Sequence, residues 1–77
     1  MVFPSTMSSE ELLRQLNTVT SRSDARAMIS RAVRVAGVAT DRPLEVHDLL
    51  LVCEALAAEG GAIQQLAESI ATRALRA

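Results

Sequence analysis

Near the middle of the chain, residues 44–61 read LEVHDLLLVCEALAAEGG, and the run Leu49-Leu50-Leu51-Val52 dominates this stretch. Successive residues of an α-helix point about 100° apart, so four consecutive apolar residues reach every side of the helix. Such a helix either lies at the centre of a domain, packed on several sides, or keeps one side free for a partner. The stretch therefore predicts a central helix and leaves open what covers it.

The start of this central helix has two candidate positions. Asp41 could cap the helix, with Pro43 in its first turn. Alternatively, the cap follows Leu44, which then packs on Leu49 as a hydrophobic staple. We favour the second start because it pairs the residue before the cap with the fourth residue of the helix. The helix is then predicted over 46–59.

A capping box marks the first helix of the chain. Ser8 is placed to cap the helix, and Glu11 lies three residues later, as the box requires. Met7 stands directly before the cap, where a hydrophobic staple residue is expected. Apolar residues then recur at helical spacing as far as Val19. The pattern predicts a helix over 9–19.

Two further helices follow from capping and periodicity. Either Ser21 or Ser23 can cap a second helix, and Gly37 is a natural residue just beyond its end. This helix is predicted over 22–36. After the central helix, apolar residues at helical spacing predict a fourth helix over 62–75.

These elements predict an all-α fold, a compact four-helix bundle built from two αα-hairpins. Gly60-Gly61 separates the last two helices, since two glycines inside a continuous helix would cost about 2 kcal/mol relative to alanine. The length fits a single domain, predicted over 8–77 after a flexible leader over 1–7. The predicted core consists of aliphatic residues and one cysteine: Leu12, Leu16, Ile29, Val33, Leu49, Cys53, Leu56, Ile63, Leu66 and Ile70.

The composition favours closely packed helices and a partner. Ten Leu, seven Val, three Ile and thirteen Ala supply the apolar residues, and Phe3 is the one aromatic. A chain of 77 residues buries only about 60% of its unfolded surface. Small domains of this kind often need a supplement such as self-association. All eight basic residues are Arg, which together with the Ala content suggests a GC-rich, bacterial coding sequence.

Charge is divided unevenly along the chain. Residues 1–42 carry six Arg against four acids, a net charge of +2, whereas residues 43–77 carry two Arg against five acids, a net charge of −3. This asymmetry can orient a protein partner or a second copy of the chain. It is too mild to indicate nucleic acid as a partner. The chain shows neither a signal peptide nor an apolar stretch of membrane-spanning length, so we expect a cytoplasmic protein.

No residue pattern indicates catalysis, a cofactor, a metal or a small-molecule ligand. His47 and Asp48 are adjacent, and adjacent helical residues point about 100° apart, so they do not form a proton relay. Cys53 falls on the apolar stripe of the central helix, where a free cysteine acts as a small hydrophobic residue. We therefore expect that the protein is not an enzyme.

The last two helices also permit a comparison with helix-turn-helix DNA readers. Ala57 and Gly61 have the spacing of the alanine and glycine of that motif, and Gln64 and Gln65 could read adenine edges. Glu68 argues against this reading because it would face phosphates. A small transcriptional regulator that uses residues 46–75 is thus the alternative function. An antitoxin or immunity-type protein that binds one protein target is a second alternative.

The favoured function is a small, non-enzymatic protein-interaction or regulatory module that forms a homodimer. Two surfaces are candidates for the partner. One is the apolar surplus of the central helix, Leu50 and Leu51. The other is a polar ridge on the second helix, where Arg22, Arg26 and Arg34 recur at multiples of four residues.

Overall fold

A computed structural model describes residues 7–76 and contains four α-helices. No strand occurs in this range, so the predicted all-α class is confirmed. The helices, in chain order, are α1 (Ser9–Leu16), α2 (Arg22–Ala36), α3 (Val46–Ala57) and α4 (Gly61–Arg76). Most of the leader predicted over 1–7 lies outside the described residues.

The four helices pack as a closed ring. Each helix contacts two others: α1 contacts α2 and α4, and α3 contacts α2 and α4. Across the diagonals, α1 to α3 and α2 to α4, no two Cα atoms lie within 8 Å of each other. The two most extensive contacts both belong to α3, as expected for the helix that carries the Leu49–Val52 run. Because α3 has only two neighbours, its remaining side faces outward.

The core agrees with the predicted one apart from two residues. Val33 and Leu66 are half-buried at the edge of the core, whereas the other eight predicted core residues are buried. The prediction omitted further buried residues, three of which are alanines that let neighbouring helices approach closely. These additional core residues are Ala25, Ala32, Leu44, Val52 and Ala67.

Half of the predicted capping box is formed at the start of α1. The Glu11 backbone N–H donates to Ser8 Oγ at 3.1 Å, as expected. The Glu11 carboxylate does not return to the cap. It accepts instead from the Arg14 guanidinium at 3.1 Å and from Gln15 Nε2 at 3.3 Å. The cap therefore rests on the serine alone, and the glutamate supports the exposed face of the helix.

The first helix is shorter than the sequence predicts, and the range 9–19 is wrong at its end. After Leu16 the chain forms tighter turns, in which Thr18 N donates to Gln15 O at 3.2 Å and Val19 N donates to Leu16 O at 3.0 Å. Thr18 Oγ1 also donates to Gln15 O at 2.7 Å. A threonine hydroxyl that bonds to the preceding turn competes with helix continuation. Val19, expected on the apolar stripe, is consequently 44% exposed.

The second helix has the predicted bounds because both of its ends are capped. Ser21 is the capping serine, since its Oγ accepts from the Asp24 backbone N–H at 3.1 Å. At the other end Gly37 has φ +70°, and its N–H donates to Val33 O at 2.9 Å. This left-handed conformation is one that glycine adopts without the steric penalty of a Cβ atom.

A backbone bridge fixes the start of α3. Met7 N donates to Leu44 O at 2.9 Å, and Leu44 N donates to Met7 O at 2.8 Å, so the two residues form an isolated antiparallel bridge. The Leu44 side chain is only 1% exposed. Glu45 occupies the cap position but makes no side-chain capping bond. The start after Leu44 is confirmed, and Met7, which the sequence assigns to the leader, belongs to the folded domain.

The turn between α3 and α4 differs slightly from prediction. The helix predicted over 46–59 ends at Ala57. The next three backbone N–H groups, up to that of Gly60, each donate to the carbonyl three residues earlier, which tightens the chain. Gly60 and Gly61 have φ of +77° and +57°, which other residues adopt only with strain. The fourth helix, predicted over 62–75, is longer by one residue at each end.

Replacing Leu44 tests whether a linker residue acts as core. We expect Leu44→Ala to lower the free energy of unfolding by about 2 to 5 kcal/mol, because it leaves a cavity between the starts of α1 and α3. Urea denaturation followed by far-UV circular dichroism measures the loss. Leu75→Ala is the matched control, since Leu75 is 67% exposed and should change stability by less than about 0.5 kcal/mol. Equal effects would contradict the core role.

A pair of serines tests the cap of α2. Ser21→Ala should lower stability by about 1 kcal/mol because it leaves the Asp24 N–H without its acceptor. Ser23→Ala removes the same hydroxyl from an exposed position inside the helix and should change stability much less. The comparison uses thermal and urea unfolding of both variants. A larger loss for Ser23→Ala would assign the cap to the wrong serine.

Candidate functional site

The outward side of α3 presents a short apolar patch between two polar residues. Leu50 and Leu51 are half-buried and lie side by side at the middle of this side. His47 precedes them by one turn and Glu54 follows them by one turn, and both are exposed. Spacings of three, four and seven residues place all four on one helix face. We call this set, His47, Leu50, Leu51 and Glu54, the α3 outer face.

The buried side of α3 explains why this face is left over. Leu49, Val52, Cys53 and Leu56 are all at most 3% exposed and form the side that meets α2 and α4. The leucines of the outer face point away from that side. Of the four apolar residues in the Leu49–Val52 run, Leu49 and Val52 are therefore buried. The described chain covers Leu50 and Leu51 only in part.

The arginine ridge predicted on α2 is divided by the structure. Arg22 and Arg26 lie toward α1, where they line a cavity between the two helices. Arg34 is not among the residues that line it, because eight further residues along α2 rotate its side chain about 80° away from Arg26. Arg31 points to the other side and pairs with Glu59 at 3.1 Å. Two of the three predicted arginines therefore share one surface.

The cavity between α1 and α2 has a volume of about 320 Å³ and is open to solvent. Its lining combines three arginines with one acid, one amide and one leucine: Glu10, Leu13, Arg14, Asn17, Arg22 and Arg26. An adjoining cavity of about 260 Å³ shares Glu10, Leu13 and Arg26 and adds Ser9 and Ile29. The shared lining makes the two cavities one groove, which we call the α1–α2 groove.

The sequence predicts two residues of this groove, Arg22 and Arg26, as part of a candidate partner surface. The four-residue spacing of Arg22 and Arg26 on one helix was visible in the sequence. The residues from α1 were not, because their position opposite these arginines depends on how the two helices pack. The only sequence signal for the α1 wall of the groove was the position of Leu13 among charged residues. In the structure this leucine is half-buried.

The single histidine has the surroundings of a surface residue. Its side chain is 85% exposed, and Nδ1 lies 3.6 Å from Oδ1 of Asp48. Within residues 7–76, no group of three or more His, Cys, Asp or Glu side chains is arranged to hold a metal ion. His47 contributes an exposed, polar side chain to the α3 outer face.

Cys53 packs in the core as the sequence predicts. It is 2% exposed, and burial raises the pKa of its thiol from 9.0 to about 11. The thiol is therefore protonated at neutral pH, and a protonated thiol is a poor nucleophile and a poor metal ligand. The side chain acts as a small apolar residue among the leucines of α3.

The residues that suggested DNA reading lie on the surface of α4. Gln64 and Gln65 are both exposed, and Gln64 Nε2 donates to the Glu68 carboxylate at 3.1 Å. This contact occupies one of the two amides and holds a negative charge beside it. The arginines of α4, Arg73 and Arg76, lie in its last turn.

None of the described helices combines the length and apolarity needed to cross a bilayer. Comparison with known proteins yields no match to a protein-family model, to a curated protein or to a solved structure. The α3 outer face and the α1–α2 groove are two candidate binding surfaces of the described residues.

Alkaline titration tests the burial of Cys53. Because the thiol pKa is about 9.0 when exposed and about 11 in the fold, the neutral form is favoured by folding. Stability should be unaffected below pH 9 and should fall by up to about 2 to 3 kcal/mol as pH rises toward 11. The chain has no Lys or Tyr, so no other side chain ordinarily titrates in this window.

Urea midpoints measured across this pH window give the slope, and absorbance of the thiolate gives the pKa directly. Cys53→Ala is the control, since it lowers stability at every pH but should abolish the slope between pH 9 and 11. A slope that survives in Cys53→Ala would show that the thiol is not its cause.

Proposed function

We propose that this protein is a small, non-enzymatic interaction module that self-associates through the α3 outer face. The observation that carries the proposal is the partial exposure of Leu50 and Leu51 at the middle of the helix with the most extensive contacts in the fold. A second copy would remove this apolar surface from water, which favours association by about 25 cal/mol for each Å² buried.

The α3 outer face is complementary to itself in an antiparallel arrangement. When two copies of α3 cross at the point between Leu50 and Leu51, Leu50 of one copy meets Leu51 of the other. The same two-fold symmetry places His47 of one copy opposite Glu54 of the other. A two-fold interface uses the same patch on both subunits, so a patch must carry both partners of each contact. This face meets that condition for its apolar pair and for its polar pair.

Self-association also suits the size of the domain. A 77-residue chain has a thin margin of stability, and the aliphatic core includes no aromatic residue in the described range. Burial of a second apolar surface adds to that margin. The regulatory part of the proposal follows from the same equilibrium, because a module whose stability depends on dimerisation responds to its own concentration.

Sedimentation velocity tests the proposed dimer. The wild-type protein should form dimers at micromolar concentrations, and Leu50→Gln/Leu51→Gln should raise the dissociation constant at least about tenfold, because it replaces the apolar centre by amides. Val35→Gln/Leu75→Gln is the matched control. The Val35 and Leu75 side chains are 79% and 67% exposed and lie outside the α3 outer face, so this variant should leave the dimer intact. Circular dichroism verifies folding of each variant.

A charge swap tests the antiparallel register. His47→Glu places a glutamate opposite Glu54 of the second copy and should weaken the dimer through repulsion of like charges. Adding Glu54→Arg to the same chain should restore it, because each two-fold contact then joins opposite charges. A wild-type protein that remains monomeric at high concentration contradicts self-association. A dimer that is indifferent to the swap contradicts this register.

A further inference from the structure

The α1–α2 groove is formed by residues of α1 and α2 and shares none with the α3 outer face. We propose that this groove is the binding site for an acidic, amphipathic segment of another protein. The proposal does not depend on self-association, because no residue of the groove belongs to the α3 outer face.

The walls of the groove provide cations that are free to bind. Within the described range, neither Arg22 nor Arg26 has an acidic side chain at ion-pair distance, and both are exposed. Arg14 does pair with Glu11, but that contact lies on the surface of its own helix and the Arg14 side chain is 78% exposed. Arginine is suited to carboxylates because its planar fork can donate two parallel hydrogen bonds to them.

Two apolar side chains lie at the floor of the groove, among a lining that is otherwise mainly polar. Leu13 is half-buried and lines both cavities, and Ile29, which is 9% exposed, lines the second. A ligand with acidic groups alone would leave this floor against water. A segment with one or two apolar side chains beside its carboxylates would cover the floor and reach the arginines together. An amphipathic helix has this arrangement, with charges at the edges of its apolar stripe.

Local electrostatics add to the attraction. Arg22 is the first residue of α2, where Asp24 in the same turn already offsets the positive end of the helix dipole, so the positive charge of the groove comes from its arginine side chains. Glu10 is the one acid in the lining, and because Arg14 is paired with Glu11, the excess positive charge comes from Arg22 and Arg26. The groove is thus a positive surface on a chain whose total charge is −1. Such a contrast fits a partner that is negative at the contact and apolar at its centre.

A nucleic acid fits this groove less well than a peptide. Affinity for a phosphate backbone comes from neutralising several phosphates in a row, and three arginines around an apolar floor offer little of this. Glu10 would oppose a phosphate, and the acidic half of the chain, residues 43–77, would repel a long polyanion. Duplex DNA therefore serves as a competing probe in the experiment.

The test is a fluorescence-anisotropy titration with a fluorescein-labelled helical peptide that carries leucines on one face and glutamates along both edges of that face. A matched peptide has glutamine at each glutamate position. At low ionic strength the acidic peptide should bind at least about tenfold more tightly than its glutamine counterpart, and this difference should shrink as salt is added.

Variants with equal net charge locate the site. Arg22→Gln/Arg26→Gln should weaken binding of the acidic peptide about tenfold, the sum of two partly exposed charge contacts. Arg34→Gln/Arg73→Gln removes the same charge outside the groove and should change binding less than about twofold. Arg22→Glu/Arg26→Glu should reverse the preference, so that a peptide with lysines in place of glutamates binds better.

Several outcomes overturn the proposal. Equal weakening by the two pairs of Gln variants would show that net charge, and not the groove, attracts the peptide. Tighter binding of random duplex DNA than of the acidic peptide would assign the groove to nucleic acid. Loss of self-association in Arg22→Gln/Arg26→Gln would assign it to a second copy of the chain. Repeating the titration with Leu50→Gln/Leu51→Gln separates the two surfaces, since peptide binding should persist in that variant.

Discussion

Two backbone hydrogen bonds between Met7 and Leu44 join the chain before α1 to the chain before α3, two helices whose Cα atoms nowhere lie within 8 Å of each other. All other links in the four-helix ring are between neighbouring helices. This bridge spans the diagonal of the ring, and the Leu44 side chain beside it is buried in the core. It also replaces a side-chain cap at α3, where Glu45 makes none. The point at which α3 begins therefore depends on this contact.

The features that the sequence predicts well are local ones. The bounds of α2 follow from Ser21 and Gly37, which act on the residues beside them, and the buried side of α3 follows from helical periodicity. The end of α1 is misplaced because the pattern of apolar residues extends to Val19, whereas the Thr18 hydroxyl favours a turn. Periodicity describes which side of a helix is apolar but does not show where competing hydrogen bonds end it.

The features that the sequence misses are those made by residues far apart in the chain. The bridge of Met7 with Leu44 has no local signal beyond two hydrophobic residues before two helices. The division of the arginine ridge likewise depends on where α1 lies, since α1 contributes Leu13 and Glu10 to the groove that Arg22 and Arg26 line. The spacing in multiples of four residues groups Arg34 with Arg22 and Arg26 in the sequence. Rotation along the helix and the position of the neighbouring helix separate it from them.

The shortness of α1 has a consequence for motion. Its eight residues are too few for a helix that is stable alone in water, and its contacts with α2 and α4 are the least extensive in the fold. Partial unfolding that releases α1 would therefore need less free energy than global unfolding, and amide hydrogen exchange would be fastest there. Such an opening removes one wall of the α1–α2 groove and exposes the buried Leu12 and Leu16, whereas the contacts of α3 with α2 and α4 do not involve α1. A ligand in the groove would oppose this local unfolding. The fraction of molecules with a folded α1 would then increase with the fraction of grooves that are occupied.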